Sequence, residues 1–72
     1  MLSDVATKDL VVNGKPVSSQ AAVLSELLHE QELGKVRVAT AINGQFVSEA
    51  ARSHAALQSG DRIEIVSARQ GG

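Results

Sequence analysis

The chain has 72 residues, enough for one small domain, and seven Lys and Arg against eight Asp and Glu residues give a formal net charge of −1. A domain this small leaves little room for the walled cleft of a self-sufficient enzyme, and the absence of cysteine excludes disulfides and thiol nucleophiles. The near-neutral charge and the single aromatic residue, Phe46, argue against a nucleic acid as partner.

The N-terminal segment lacks the basic and apolar regions of a secretory signal, and no apolar run approaches the roughly 18 residues that a membrane span needs. We therefore expect a cytoplasmic protein without a membrane partner, which is a monomer when free. Residues 1–8 show no sustained pattern and predict a flexible arm, residues 9–67 predict the folded domain, and residues 68–72 predict a flexible tail.

The first predicted element is a β-hairpin. Residues 9–12 form a short β-prone run, Asn13-Gly14 follows directly, and residues 15–18 predict the return strand. Asn-Gly between two such runs favours a type I′ turn, because both central residues of that turn need positive φ. Pro16 has no backbone N–H and therefore indicates an edge strand.

A helix is predicted next, over residues 20–31, with Ser18 or Ser19 as its N-cap. Its apolar residues form one stripe and its opposite side is polar. The stripe consists of Val23, Leu24, Leu27 and Leu28. Gly34 is placed to end the helix as its C′ residue, with Leu33 just before it.

The second half of the chain predicts three further strands. Residues 36–42 alternate in polarity, and Asn43-Gly44 turns this strand back into residues 45–47. The Ala-rich residues 48–57 predict a crossover that contains a helical turn, and residues 62–67 predict the last strand.

This order of elements predicts the α+β class and the β-grasp, or ubiquitin-like, arrangement. One helix then covers one face of a mixed four- to five-stranded sheet, with the first and last strands side by side at its centre. Period-two alternation turns one set of residues inward, namely Leu10, Val12, Val38, Ile42, Ile63 and Ile65. The opposite set predicts a surface for docking a partner, namely Val11, Ala39, Ala41 and Val66, rimmed by Arg37, Arg62, Glu64 and Arg69.

The sequence offers no constellation of catalytic or metal-binding residues. His29 and His54 lie far apart without a carboxylate partner and are expected to be exposed, and the serines lack a nearby histidine with an orienting acid. Glu30 and Glu32 are two positions apart on the predicted helix and do not share a face. We therefore expect no metal, no bound cofactor and no catalytic residue in this chain.

The sequence ends in Gly71-Gly72, a pair expected by chance about one time in two hundred at the average glycine content of roughly 7%. A dipeptide without Cβ atoms fits a narrow channel and presents its bare α-carboxylate to a partner's active site. A carboxylate becomes reactive toward a nucleophile once it is adenylated. We therefore predict Gly72 as the modified residue, and Gly71 and Gln70 as the tail needed for entry into the channel.

The ordered motifs of the chain resemble the ThiS family of sulfur carrier proteins in thiamine biosynthesis. These motifs are Leu-Val-Val-Asn-Gly-Lys at residues 10–15, Leu-Ser-Glu-Leu-Leu at 24–28, the segment around Ile-Asn-Gly at 38–47, the segment with Ser-Gly-Asp-Arg-Ile at 57–66, and Ala-Arg-Gln-Gly-Gly at 68–72. The resemblance implies that a ThiF-like adenylyltransferase consumes ATP to adenylate Gly72. It further implies that a sulfurtransferase or cysteine desulfurase relay forms a thiocarboxylate there, and that a ThiG-like synthase takes the sulfur into the thiazole ring.

Two departures and two alternatives accompany this resemblance. Residues 1–8 precede the usual first strand of the family, and Ser48-Glu49 stand where relatives often have Pro-Arg, with Arg52 coming later. A MoaD-like sulfur carrier for molybdopterin synthesis would share the terminal chemistry, but residues 65–70 lack the aromatic or Pro-rich approach to the tail. An S4-like RNA-binding module would need a basic helix, whereas residues 20–31 contain no Lys or Arg.

Overall fold

A computed structural model describes residues 7–67 of the chain. The predicted flexible tail and most of the predicted arm lie outside these residues. In chain order the elements are strand β1 (Lys8–Val12), strand β2 (Lys15–Ser19), helix α1 (Leu24–Glu30), strand β3 (Val38–Ile42), strand β4 (Gln45–Val47), a 3₁₀ helix (Glu49–His54) and strand β5 (Arg62–Ser67).

The five strands form one mixed sheet in the order β2-β1-β5-β3-β4. The first and last strands, β1 and β5, run parallel at its centre, and every other pair is antiparallel. The sheet and α1 bury a shared core, formed by Leu10, Val12, Ala21, Leu24, Leu27, Leu28, Val38, Leu57, Ile63 and Ile65. The structure therefore confirms the predicted β-grasp fold.

Both Asn-Gly pairs form the predicted turns, with φ of 52° at Asn13 and Asn43 and of 83° and 84° at the two glycines. Each asparagine also bonds to β5. The Asn13 amide donates from Nδ2 to the Ile65 carbonyl at 3.1 Å and accepts the Ile65 N–H at 2.8 Å. The Asn43 Oδ1 accepts the Arg62 N–H at 2.9 Å, and its Nδ2 donates to Asp61 at 3.0 Å. The two hairpins thus hold the last strand between them through their turn side chains.

The helix begins later than predicted, at Leu24 with Val23 as its N-cap, so Ser18 and Ser19 do not cap it. Ser19 instead ends β2, where its buried hydroxyl donates to Glu30 at 2.6 Å and accepts the Ala21 N–H. The segment before the helix is held by the crossover, since Val23 forms an isolated bridge with Ala56. Pairing with a distant part of the chain therefore replaces the first predicted turn of the helix.

The prediction that Gly34 is the C′ residue is wrong, because the helix ends through Glu32. Glu32 has a φ of 63°, its N–H donates to the His29 carbonyl, and the Leu33 N–H donates to the Leu28 carbonyl at 2.7 Å. These two bonds are the Schellman arrangement, here with a glutamate in the left-handed position that glycine usually takes. Leu33 packs against the core as the arrangement requires.

The strand bounds differ from the predicted ones at three places. β1 begins at Lys8, which pairs with Ser19, so each strand of the first hairpin is longer by a residue. β3 begins at Val38 rather than at residue 36, because the Val36 N–H donates to the Leu33 carbonyl and continues the turn that follows the helix. That turn, over residues 34–37, lines a groove beside the start of β3.

Asn13 and Asn43 allow a paired test of how much the turn side chains stabilise the position of β5. We expect Asn13→Gly to lower the free energy of unfolding by about 1–3 kcal/mol, because glycine keeps the positive φ but leaves the buried Ile65 backbone without both partners. Asn43→Gly removes exposed bonds and should cost less than about 1 kcal/mol. Urea unfolding of the two variants measures both values, and equal losses would contradict this reading.

Candidate functional site

The side of the sheet that faces away from α1 carries the predicted docking residues. Ala39 and Val66 are exposed, Val11 and Ala41 are half-buried, and the alternate residues on the same strands belong to the core or, for Ile42, pack against it. The facing predicted from alternation is therefore confirmed, whereas a docking role for these residues stays a prediction. Arg69 lies outside the described residues.

Phe46 belongs to the same surface, although sequence reasoning did not include it. It lies opposite Ala41 in the antiparallel pair of β3 and β4, so the two side chains share a face. It is 73% exposed, and Val66 is 58% exposed. The signal was available, because the Asn43-Gly44 turn alone sets residue 46 opposite residue 41. We call the set Val11, Ala39, Ala41, Phe46 and Val66 the outer face.

The outer face has a shallow centre between two larger side chains. Ala39 lies opposite Val66 and Ala41 lies opposite Phe46, so the alanines separate the two exposed apolar residues. Glu64 also lies opposite Ala41, on the β5 side. Small side chains at the centre let a partner's surface approach the backbone of β3 closely.

The outer face adjoins the end of β5, the strand that leads toward the predicted reactive residue. Val66 is the last residue but one of β5, which ends at Ser67 opposite Val38. Gly72, Gly71 and Gln70 lie outside the described residues, so the structure gives no geometry for them. β5 is the described strand closest in sequence to these three residues, and it contributes Val66 to the outer face.

Arg52 closes the sheet where β4 stops. β4 ends at Val47 opposite Thr40, and beyond that point Arg52 takes the place of a strand partner by donating from Nη2 to the Val38 carbonyl at 2.7 Å. Its Nε donates to Thr40 Oγ1 at 3.1 Å, and that hydroxyl donates to the Val47 carbonyl at 2.8 Å. Sequence reasoning missed this role, because it depends on where β4 ends in space.

The ionisable residues that the sequence singled out lie at the surface. His29 and His54 are both exposed, as predicted. The Glu30 carboxylate accepts hydrogen bonds from the Ser19 hydroxyl and the Gln20 N–H. Glu32 is the residue with a positive φ at the end of α1. Within residues 7–67, no group of three or more His, Asp or Glu side chains is placed to hold a metal ion. None of the helices in that part is long and apolar enough to cross a membrane.

Two comparisons with known proteins point to the same family. The model of the ThiS family matches residues 7–72. The fold is similar to the crystal structure of the thiamine biosynthesis protein (ThiS) from Geobacter metallireducens, with a TM-score of 0.72, 27% sequence identity, and coverage of 82% of this chain and 91% of that one. None of the curated proteins compared with the chain gives a significant match.

Arg52 provides a test of the sheet closure. We expect Arg52→Ala to lower the free energy of unfolding by about 1–3 kcal/mol, because the Val38 carbonyl and the buried Thr40 hydroxyl each lose a charged partner. Arg37→Ala removes an exposed arginine nearby and should change stability by less than about 0.5 kcal/mol. Chemical denaturation compares the two variants, and similar small losses would exclude a closing role for Arg52.

Proposed function

The chain belongs to the ThiS family, and from this premise we propose that it carries sulfur on the carboxylate of Gly72. Proteins of this family are small sulfur carriers of thiamine biosynthesis rather than enzymes. The observation that carries the proposal is the family match, which extends through Gly72 itself. The same match favours thiamine biosynthesis over the molybdopterin and RNA-binding alternatives.

The proposed chemistry begins with activation, because a carboxylate is a poor electrophile. A ThiF-like adenylyltransferase joins the Gly72 carboxylate to the AMP part of ATP and releases pyrophosphate. A sulfurtransferase or cysteine desulfurase relay then supplies a persulfide, whose terminal sulfur displaces AMP to give an acyl disulfide. A second thiol of the relay attacks the S–S bond, forms a disulfide with the relay cysteine that carried the persulfide and releases the thiocarboxylate. A ThiG-like synthase finally takes that sulfur into the thiazole ring. ATP is thus consumed by the partner, and the cytoplasm, where ATP is plentiful, is the proposed location.

The role of this chain is to present the carboxylate. Gly71 and Gln70 precede it, and the absence of a Cβ at Gly71 and Gly72 lets the tail enter a channel too narrow for other residues. The folded domain stays outside that channel and docks on the partner.

We propose the outer face as the docking surface for the adenylyltransferase and the synthase. The support is the exposure of Phe46 and Val66, which are the large apolar side chains most exposed in residues 7–67. An apolar contact there would dock the sheet directly beside the end of β5. Arg69, which follows β5 in sequence, belongs to the same proposed interface.

Removal of the terminal residue tests the proposed reactive group. We expect a chain that lacks Gly72, and likewise Gly71→Val, to accept no sulfur, because the first moves the carboxylate and the second adds side-chain atoms inside the channel. Intact mass spectrometry after incubation with ATP, the adenylyltransferase and a sulfur source detects the replacement of one oxygen by sulfur. Thermal unfolding provides the control and should not change. Sulfur transfer to a chain that ends at Gln70 would refute the carrier proposal.

Charged substitutions test the outer face. We expect Ala39→Glu and Val66→Glu each to weaken binding to the adenylyltransferase by at least about tenfold, because a carboxylate would lose its water in an apolar contact. Phe46→Ala should weaken binding by a comparable factor. Ala56→Glu is the matched control, since Ala56 is an exposed alanine of the crossover outside the outer face. If Ala39→Glu and Val66→Glu unfold the protein, or weaken binding no more than Ala56→Glu does, the assignment of this surface is wrong.

A further inference from the structure

A groove with excess positive charge lies beside the start of β3. It has a volume of about 330 Å³ and is bounded by the turn over residues 34–37, by Val38 and by the 3₁₀ helix. Three cationic side chains and one carboxylate line it, namely Lys35, Arg37, Arg52 and Glu49. We call this feature the cationic groove.

The groove exists because β4 is short. β4 pairs with β3 only as far as Thr40, and the chain then turns away into the 3₁₀ helix. The edge of β3 before Thr40 therefore has no neighbouring strand on that side, and Arg52 covers only the Val38 carbonyl. The space left along this edge is open to a segment of another molecule.

Glu49 shares the lining of the groove, but the cationic side chains there form no ion pair within the described part of the chain. Neither Lys35 nor Arg37 forms an ion pair with a carboxylate of residues 7–67. Arg52 is half-buried, yet both of its hydrogen-bond acceptors, the Val38 carbonyl and the Thr40 hydroxyl, are neutral. Its Nη1 group forms no bond to these residues and remains able to donate. A carboxylate would therefore be attracted here more strongly than at a fully solvated cation.

The position of the groove links it to the carrier's tail. Val38, at its edge, pairs with Ser67, the last residue of β5. Arg37, an exposed residue, precedes Ala39 by two positions along the same chain segment, so the groove borders the outer face. A partner that covers the outer face would therefore lie close to this groove.

We infer that the cationic groove receives a carboxylate-bearing loop of the adenylyltransferase, and that this contact steers and orients the carrier. The inference rests on the proposed function, because it takes its partner from there. Attraction between opposite charges raises the rate of association and sets orientation, and it weakens as salt screens it. The groove therefore acts on the encounter of the two proteins rather than on the chemical step at Gly72.

The test compares charge reversals that change the net charge equally. Lys35→Glu and Arg37→Glu alter the groove, whereas Lys15→Glu alters an exposed lysine of the first hairpin, at the other side of the sheet. Adenylation of each chain by the adenylyltransferase is followed at low and at high salt. We expect each groove variant to lower kcat/KM about tenfold at low salt through KM, with kcat unchanged, and Lys15→Glu to change it less than about twofold. The difference between wild type and the groove variants should shrink at high salt.

The possible outcomes separate the two proposals. If the wild-type chain is not adenylated at all, the proposed function fails and this inference fails with it. If the wild type is adenylated but the groove variants match Lys15→Glu, or lose activity equally at every salt concentration, only the inference is overturned. A separate NMR titration of the wild-type chain compares inorganic phosphate with chloride at equal ionic strength. Saturable amide shifts at Lys35 and Arg37 with phosphate alone would identify a phosphate site and overturn the assignment to a carboxylate loop.

Discussion

The structure depends on β5 being held between β1 and β3. Its inward residues, Ile63 and Ile65, belong to the buried core, while Val66 on the other side remains exposed. Within the sheet, β5 lies between two hairpins that are distant in sequence, and the amides of Asn13 and Asn43 extend its pairing past the ends of β1 and β3. One strand therefore sets the core, the outer face and the starting point of the tail together.

Local signals explain which elements the sequence predicted well. Asn-Gly has a backbone preference that few other pairs share, so both turns, and the strands beside them, were identified with small errors in their ends. Alternation then gave the facing of each strand, because a shift of one residue would have placed Ile63 and Ile65 in water. Phe46 belongs to the outer face because it is the second residue of β4, a position that the register of the hairpin sets opposite Ala41.

The elements that sequence reasoning misplaced depend on contacts between distant residues. Ser19 is a good helix cap by type, but its hydroxyl is used by Glu30, and the bridge between Val23 and Ala56 extends the segment before the helix. Glu32 adopts a left-handed φ although Gly34 is available two positions later, and with this φ Leu33 bonds back to Leu28 and packs against the core. Likewise the role of Arg52 follows from the end of β4, which no property of Arg52 itself indicates.

The outer face and the cationic groove are proposed to play different parts in partner binding: the first provides the contact, and the second speeds association. Under the proposed function, the carrier binds an adenylyltransferase, a sulfur donor and a synthase in turn, so it must associate with each quickly and also dissociate from it quickly. The outer face has two alanines at its centre, and its most exposed apolar side chains are Phe46 and Val66. A contact of such limited apolar area favours fast dissociation. Charge in the adjoining groove can raise the association rate with a smaller effect on dissociation, because its attraction acts before contact. The arrangement around β3 and β5 thus suits brief, oriented encounters better than a permanent complex.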